Sequence, residues 1–299
     1  MDKKNLKFKI IDGLYIAMIV LPFVFGIVLQ VLTKPASEGI SITGARVFFR
    51  IPMPIQDFPI TEAQVNSLLV LIAIFGVCLY LTHGLSAHIK LKRQHLAELA
   101  VEKVDALVKD NMGPFFAGYT PFIISILALS AFSSLITLVG LYPPTSDINI
   151  VGGWALLVFI LITYYKLKAG PLAYAKGFTE PIFVMLPLNI LGEIATPVSL
   201  AFRHYGNVLS GSVISVLISA ALGGLSSMLL SGLPGFLADI PLFQVGLPAV
   251  LSVYFDIFSG CMQAFIFAML TMLNISGGFD MEGYEKRKLK KAQRALKNK

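Results

Sequence analysis

The chain has 299 residues, of which 56% are hydrophobic and 14% are charged, and its mean hydropathy is +0.78. These values exclude a typical soluble globular protein, in which about 25% of residues are charged, and indicate an integral membrane protein. The formal net charge of +7 comes from basic residues grouped beside apolar segments. Cys78 and Cys261 stand singly in apolar runs, so we expect neither a disulfide framework nor a metal site.

Apolar runs of about 20 residues, each long enough to cross a hydrocarbon core roughly 30 Å thick, predict an all-α helical bundle. No alternating pattern suggests a β-barrel. The first run, residues 10–33, is interpreted as a retained span, because it is long for a secretory signal and is followed by a poor cleavage site. A polar, proline-containing connector at 34–64 then leads to a second span at 65–85.

Residues 89–111 have a different pattern, in which apolar side chains share one helical face and charged side chains share the other. The apolar face consists of Leu96, Ala97, Ala100, Val101, Val104, Leu107 and Val108. This pattern is typical of a helix that lies at the membrane surface. Pro114 is expected to end it.

Four further membrane segments are predicted, which gives about six in all. Spans at 117–141 and 151–165 are joined by GLYPPTSDIN, which fits a loop outside the bilayer. Two long segments, 179–231 and 240–275, are separated by SGLPGFLAD and are expected to form a hairpin of tilted helices. The first is too long for a perpendicular crossing, so it must tilt strongly, break, or lie partly in the membrane plane.

Lysine and arginine residues in the short loops predict the orientation. They precede the first span and follow the second, the fourth and the last: Lys3, Lys4, Lys7, Lys9; Lys90, Lys92, Arg93; Lys166, Lys168, Lys176; and the tail 286–299. Placing all four groups in the cytoplasm is consistent with six crossings and puts both termini there. The tail is expected to meet anionic lipid headgroups or partner subunits rather than nucleic acid.

Arg203 lies in the middle of a long apolar segment, where an ionised arginine costs from about 3 to more than 10 kcal/mol and cannot lose its proton. It therefore needs water, a counter-charge, or both. Spacings of three and four residues place it on one polar stripe of a helix, which consists of Thr196, Ser199, Arg203, Asn207 and Ser210. Glu193 lies about 80° round the helix from Arg203 and borders this stripe.

The last apolar segment carries a second polar stripe, in which Asp256 and Gln263 are seven residues apart and nearly eclipsed on an α-helix. Its members are Ser252, Asp256, Gly260, Gln263 and Asn274. Two polar stripes on successive helices predict an ion route between them. We expect no metal or cofactor in this route.

A blander interpretation applies to the uncharged members of the stripes. Thr196, Ser199 and Gln263 could each simply hydrogen-bond a neighbouring helix. The ionisable groups of Arg203, Glu193 and Asp256 favour a functional role, because charge at membrane depth is costly. His204 lies about 100° from Arg203, and we expect a structural histidine with satisfied hydrogen bonds.

The stretch PLNILGEIATPVSLAFRHYGNVLSG resembles the signature of subunit a of the F-type ATP synthase membrane sector, with an arginine before a Gly-Asn pair and an acid upstream. CMQAFIFAMLTMLN resembles the last helix of that family, and GLYPPTSDIN and FPITEAQVNSLLV are similar to bacterial members. The likeness covers about residues 58–280. It implies an added transmembrane helix and external connector at 1–57, and a subunit-a-like membrane domain with a basic cytoplasmic tail at 58–299.

By this resemblance, Arg203 would be the stator arginine that faces the rotating c-ring, and Gln263 would lie close to it. Positions matching the cytoplasmic-side ion path are Glu193, Ser199 and Asn207. Asp256 occupies the position where other members carry His or Glu in the path from the opposite side. Ser212 is a departure, because many members have an acid or a histidine there. Thr196, Ser210, Ser212 and His204 are weaker candidates.

The resemblance implies an ion-translocating stator subunit of a bacterial plasma membrane, with two aqueous half-channels that couple H⁺ or Na⁺ flow to ATP synthesis. Its expected partners are c-ring subunits, peripheral stalk b subunits, other ATP synthase subunits and membrane lipids. The chain lacks a G-x-x-x-x-G-K-[ST], H-E-x-x-H or G-x-S-x-G motif, so no catalytic site of its own is expected. The alternatives are a secondary transporter with an Arg/acid site, although no matched halves are evident, and an assembly scaffold.

Overall fold

The computed structural model describes residues 3–33, 44–54, 56–86, 91–179, 182–230, 243, 246, 250–251, 253–279, 281 and 284. Within this part, six helical segments are long and apolar enough to cross a membrane: Leu6–Thr33, Glu62–Thr82, Pro114–Val139, Ile148–Ala169, Phe183–Leu230 and Val253–Gly277. The all-α class and the six segments confirm the prediction. The linker 231–239, Ser252 and the basic tail 286–299 lie outside the described residues.

The first two spanning helices pack against each other. Helix α1 (Lys3–Thr33) runs along helix α2 (Glu62–Thr82). Helix α2 begins at a capping box, in which the hydroxyl of Thr61 accepts from the backbone N–H of Gln64 and the Gln64 side chain accepts from the backbone N–H of Thr61. Two donors of the first helical turn are thereby satisfied, which fixes where the span starts.

Strands β1 (Val47–Ile51) and β2 (Phe58–Thr61) form an antiparallel hairpin just before helix α2. The sequence predicted only an irregular connector here. Pro59 lies inside β2, opposite Arg50, and a two-stranded hairpin tolerates proline because both strands are edges. The prolines are the reason that no strand is predicted here. The hairpin has one strand on each side of the predicted domain boundary between residues 57 and 58.

Helix α3 (Lys92–Met112) corresponds to the predicted amphipathic helix. Val108 and Met112 of its C-terminal half are buried, and so is Gln94 in its first turn. Leu96 and Val101 of the predicted apolar face are 58% and 51% exposed, as they can be on a helix that lies at the membrane surface. A 3₁₀ turn at Pro114–Tyr119 then leads directly into the next span.

Helices α4 (Thr120–Leu135) and α5 (Ile148–Ala169) are joined by short 3₁₀ turns at Ile136–Val139 and Pro144–Ser146. Asp147 caps helix α5, because its carboxylate accepts the backbone N–H of Asn149 at 2.9 Å. Helix α6 (Pro171–Gly177) and a turn at Phe183–Met185 connect α5 to the long C-terminal hairpin.

Helix α7 (Leu186–Leu230) is a single helix of 45 residues, about 68 Å long, with Pro197 inside it. Its length is about twice the hydrocarbon thickness and it does not break, which leaves the other two predicted alternatives, a strong tilt or a course partly in the membrane plane. The return helix has two parts, a π-helical segment at Val253–Ser259 and helix α8 (Gly260–Gly277). Only about one residue in nine of α7 is buried: Leu200, Ala201, His204, Gly211 and Ser226.

The main apolar core lies where helices α3, α4, α5, α7 and α8 meet. Its central residues include Val108, Ile123, Val158, Phe267 and Met272, all of them almost completely buried. A smaller cluster around Val70, Ile136 and Leu141 joins α2 to the loop after α4, and Phe23 and Ile27 of α1 pack against it. The core covers one side of α7 and leaves the other side open.

Candidate functional site

Arg203 lies on the open side of α7. Its side chain is exposed, and so are Ser199 and Ser210 of the same stripe, whereas Thr196 and Asn207 are half-buried. Among the residues that the structure describes, none forms a hydrogen bond or an ion pair with the Arg203 guanidinium. The predicted stripe therefore presents a free cation to whatever covers this side of the helix.

Three adjoining cavities lead from Arg203 to the end of the bundle that carries helix α6. The innermost, of about 340 Å³, is lined by Arg203, Ser199, Thr196 and Asn274 among others. Thr196 and Asn274 also line the next cavity, of about 190 Å³, which reaches Glu193. The third, of about 510 Å³, continues past Glu193 to Tyr174 and Phe178. The shared lining residues make this a row of polar-edged spaces along α7.

Glu193 is the acid in this row of cavities, and it is paired. The ammonium of Lys166, from helix α5, donates to both carboxylate oxygens of Glu193 at 2.7 Å. The hydroxyl of Tyr174, from helix α6, donates to one of them at 3.3 Å. The side chains of Lys166 and Glu193 are 24% and 18% exposed. Burial, and then the neighbouring Glu193 carboxylate, raises the pKa of the Tyr174 phenol, which therefore keeps its proton near neutral pH.

His204 points away from the stripe into the core, where its side chain is fully buried. Its ring makes edge contacts with Trp154 and Phe267, at centroid distances of 6.1 and 5.4 Å. Its Nε2 lies 3.4 Å from the hydroxyl of Ser130. Nδ1 is buried and has no hydrogen-bond partner among the described residues. The burial and the ring contacts are those of a packed core residue, and the role of His204 stays a prediction.

The other half of the predicted route lies beside the π-helical segment. The amide of Asn207 donates to the hydroxyl of Ser259 at 2.8 Å, which ties α7 to this segment. Asp256 is half-buried within it, and Gln263 is buried on α8 with 4% exposure. The prediction that Asp256 and Gln263 share one helical face assumed an α-helix throughout. A π-helical turn holds more than four residues, so that angular relation does not hold between the π-helical segment and α8.

Two glycines allow close packing around this segment. A Cβ on Gly260 would lie 2.7 Å from the Cβ of Ser134 on α4. A Cβ on Gly211 of α7 would lie 3.0 Å from the Phe255 ring. At Gly260 a Cβ would force a shift of the backbone, whereas at Gly211 the Phe255 ring would have to move by a few tenths of an ångström. The segment that carries Asp256 and the helix that carries Gln263 both pack against α4 and α7. Ser212, the predicted departure, is exposed, and its hydroxyl donates to the carbonyl of Leu209 in its own helix.

A second polar group lies at the end of the bundle opposite Lys166. The backbone carbonyl of Tyr142 accepts from the amide of Asn66 at 2.8 Å, and its hydroxyl donates to the carbonyl of Ser146 at 3.2 Å. Burial, and then the charge of Asp147, raises the pKa of Tyr142 to about 12. Glu62, which is 4% exposed, borders a cavity of about 190 Å³ beside Tyr142.

Three residues of the site were not predicted from the sequence: Lys166, Tyr174 and Ser259. The sequence identifies Lys166 only as one of the loop cations that predict the orientation. A signal was present, because a lysine near the end of one span and an acid inside the next are natural partners at membrane depth. Ser259 carried no signal, since intramembrane serines are common.

The chain is similar to known proteins over most of its length. The family model described as ATP synthase A chain matches residues 65–276. Subunit a 1 of the ATP synthase of Crocosphaera subtropica is 30% identical over 219 residues, which are 72% of this chain and 85% of that protein. A subunit a of Propionigenium modestum described as sodium ion specific is 26% identical over 268 residues, which are 79% and 85% of the two chains.

A third relative, ATP synthase subunit a of Desulforamulus reducens, is 34% identical over 190 residues, which cover 62% of this chain and 66% of that protein. The matched family region contains helices α4, α5 and α7, all but the last residue of α8, and the innermost cavity with Arg203. The chain therefore belongs to the ATP synthase A chain family, the ion-translocating a subunits of the ATP synthase membrane sector.

Proposed function

We propose that this chain is the stator subunit that forms two aqueous half-channels against a rotating c-ring and couples H⁺ or Na⁺ flow to ATP synthesis. One observation carries the proposal. Arg203 stands exposed on the open side of α7, at the inner end of a row of cavities. Because a cation at membrane depth costs several kcal/mol or more, an open arginine there requires a charged or aqueous partner.

The mechanism follows from the cost of burying charge. A c-ring carboxylate that faces lipid is neutral, since the ionised form is strongly disfavoured there. When it reaches Arg203, the guanidinium favours the ionised form, and the carboxylate releases its ion into one half-channel. Beyond the arginine it is reloaded from the other half-channel. A membrane potential of 100 mV supplies about 2.3 kcal/mol for each elementary charge moved, which gives the rotation its direction.

The cavities between Arg203 and Lys166 are the proposed cytoplasmic half-channel. Thr196 and Ser199 line the inner part, and Glu193 lies further out. This assignment places helix α6 and both termini in the cytoplasm, in agreement with the distribution of lysine and arginine in the loops.

The opposite half-channel is proposed to run along the π-helical segment. Asp256 is its titratable group, and the bond between Asn207 and Ser259 holds the segment against α7. The acids around Tyr142, which include Glu62 and Asp147, lie at the end of the bundle from which ions would come. Glu62 and Asp147 therefore provide carboxylates at this end of the bundle, whereas Ser212 has no carboxylate at a position where many members of the family have an acid or a histidine.

We propose partners for the surfaces of the bundle that the half-channels leave. Residues 1–57 are proposed as an added segment whose helix α1 covers α2. The c-ring is proposed to cover the open side of α7, and the peripheral stalk b subunits and membrane lipids to contact the rest of the bundle. The basic tail is assigned to the cytoplasmic side.

The role of Arg203 is tested by Arg203→Ala in the complete ATP synthase. We expect assembled complexes that lack coupled ATP synthesis, because no fixed cation would then discharge the ring carboxylate. Lys168→Ala is the matched control, since it removes an exposed cation outside the row of cavities and is expected to keep synthesis. Substantial coupled synthesis by an assembled Arg203→Ala complex would refute the assigned role.

A further inference from the structure

Lys166 is held in place by three neighbouring groups, unlike a lysine at a solvated helix end. Both oxygens of Glu193 accept from its ammonium at 2.7 Å. The ammonium also lies 5.7 Å from the ring centroid of Tyr174. Its aliphatic stem lies against Gly278 of the α8 end, where an added Cβ would be 3.0 Å from Lys166 Cε. The side chain therefore bridges α5, α6, α7 and the residue after α8.

The bridge between Lys166 and Glu193 lies part of the way along the row of cavities. Lys166 and Glu193 line both the outermost cavity and the middle one. The innermost cavity, which reaches Arg203, is lined by neither Lys166 nor Glu193. The ion pair therefore lies where the outermost and middle cavities meet, whereas the outermost and innermost cavities share only Gly192.

We propose that Lys166 is a positioning residue that closes the cytoplasmic end of the ion route by holding the Glu193 carboxylate where the outermost and middle cavities meet. The proposal rests on the half-channel assigned above. An ion that leaves the ring passes only when the ammonium moves off the carboxylate, so the pair acts as a latch. A charge-assisted, two-point contact that is three-quarters shielded from solvent opens less often than an exposed surface pair.

The latch is tested by thiol labelling of the complete complex in inside-out membrane vesicles. Cys78 and Cys261 of this chain, which are free and exposed, are first replaced by Ser. One reporter is Thr196→Cys, which lies inward of the pair. The other is Leu188→Cys, which lines only the outermost cavity of the three. Each is labelled from the cytoplasmic side with a membrane-impermeant cationic methanethiosulfonate and, separately, with an anionic one.

With Lys166→Gln, we expect labelling of Thr196→Cys to accelerate at least about threefold with both reagents, because the obstruction is removed. Labelling of Leu188→Cys is expected to stay unchanged. Lys166→Arg should restore the slow rate, since it keeps the charge and the contact. Lys168→Gln is the matched control and should change neither reporter, because the Lys168 ammonium lies against aromatic rings outside the cavities.

The use of two reagents separates a latch from a simple electric field. If Lys166 acted only through its field, its removal would speed the cationic reagent and slow the anionic one, and this result would overturn the proposal. Equal rates with Lys or Gln at position 166, or a parallel acceleration of Leu188→Cys, would overturn it as well. Should Lys166→Gln fail to assemble, Glu193→Gln removes the other half of the pair and is expected to give the same acceleration; an unchanged rate in that variant overturns the latch.

Failure of the latch and failure of the proposed function give different results. If labelling of Thr196→Cys is insensitive to residue 166 while Arg203→Ala still abolishes coupling, the latch is wrong and the ion route stands. If Thr196→Cys reacts with neither reagent in any variant, the cavities do not form an aqueous route, and the half-channel and the latch fall together.

Discussion

The close contact between Gly260 and Ser134 gives the sharpest structural prediction. An alanine at residue 260 would place its Cβ 2.7 Å from Ser134 Cβ, and real Cβ atoms essentially never lie within 3.0 Å of such a neighbour. The obstructing atom is next to the backbone and cannot rotate away. Helix α4 and helix α8 must therefore separate by several tenths of an ångström, and we expect Gly260→Ala to destabilise the protein by about 1–3 kcal/mol.

The substitution should also affect function, because Gly260 joins the π-helical segment with Asp256 to the helix that carries Gln263. The assay is the thermal unfolding midpoint of the purified complex, read alongside proton pumping. Ser134→Gly removes the obstructing Cβ at a cost of up to about 1 kcal/mol in helix propensity. In the double variant it should recover part of the loss, and a double-mutant cycle isolates the contact.

Gly152→Ala is the matched control, since a Cβ at residue 152 of helix α5 would meet nothing within 4 Å. We expect it to leave the midpoint unchanged or to raise it. If Gly260→Ala behaves like Gly152→Ala, or if Ser134→Gly gives no recovery, the argument for close α4–α8 packing is refuted.

Three further predictions follow from the site. Asp256→Asn should slow proton flux through the membrane sector, and unchanged flux in stripped vesicles would contradict the role of Asp256. A tag on this chain should copurify a ring of small hairpin subunits, whereas isolation of the chain alone with a bound solute would support a secondary transporter. The pKa of Tyr142 is raised from 10.0 to about 12, so its contribution to stability is present below pH 10 and is lost as the pH rises toward 12. Tyr142→Phe should therefore lose less stability over that window, and parallel pH curves would show that the burial of the phenol contributes nothing.

Composition and periodicity were sufficient for the bundle and for the stripe on α7. Hydropathy fixes a spanning helix because every backbone polar group must be satisfied within the segment, so length and apolar content alone identify it. The stripe around Arg203 followed from spacing, since helix α7 continues without interruption through it. Both the spanning helices and the stripe on α7 depend on residues that are close together in the sequence.

The features that the sequence did not reveal depend on contacts between distant segments. Lys166 and Glu193 are 27 residues apart and meet only because α5 and α7 pack together. Around the π-helical segment with Asp256, Gly260 and Gly211 pack closely against neighbouring helices. No periodicity in the sequence predicts this segment. The β-hairpin was concealed by prolines that an edge strand tolerates.

We propose that the exposed, permanently charged guanidinium of Arg203 on α7 meets a passing carboxylate at membrane depth. An experimental structure of the assembled complex would measure the distance from this guanidinium to the nearest carboxylate of the adjacent ring. We expect direct or single-water contact on the open side of α7. A side chain that instead extends to a lipid headgroup, or that another helix of the bundle separates from the ring, would contradict it.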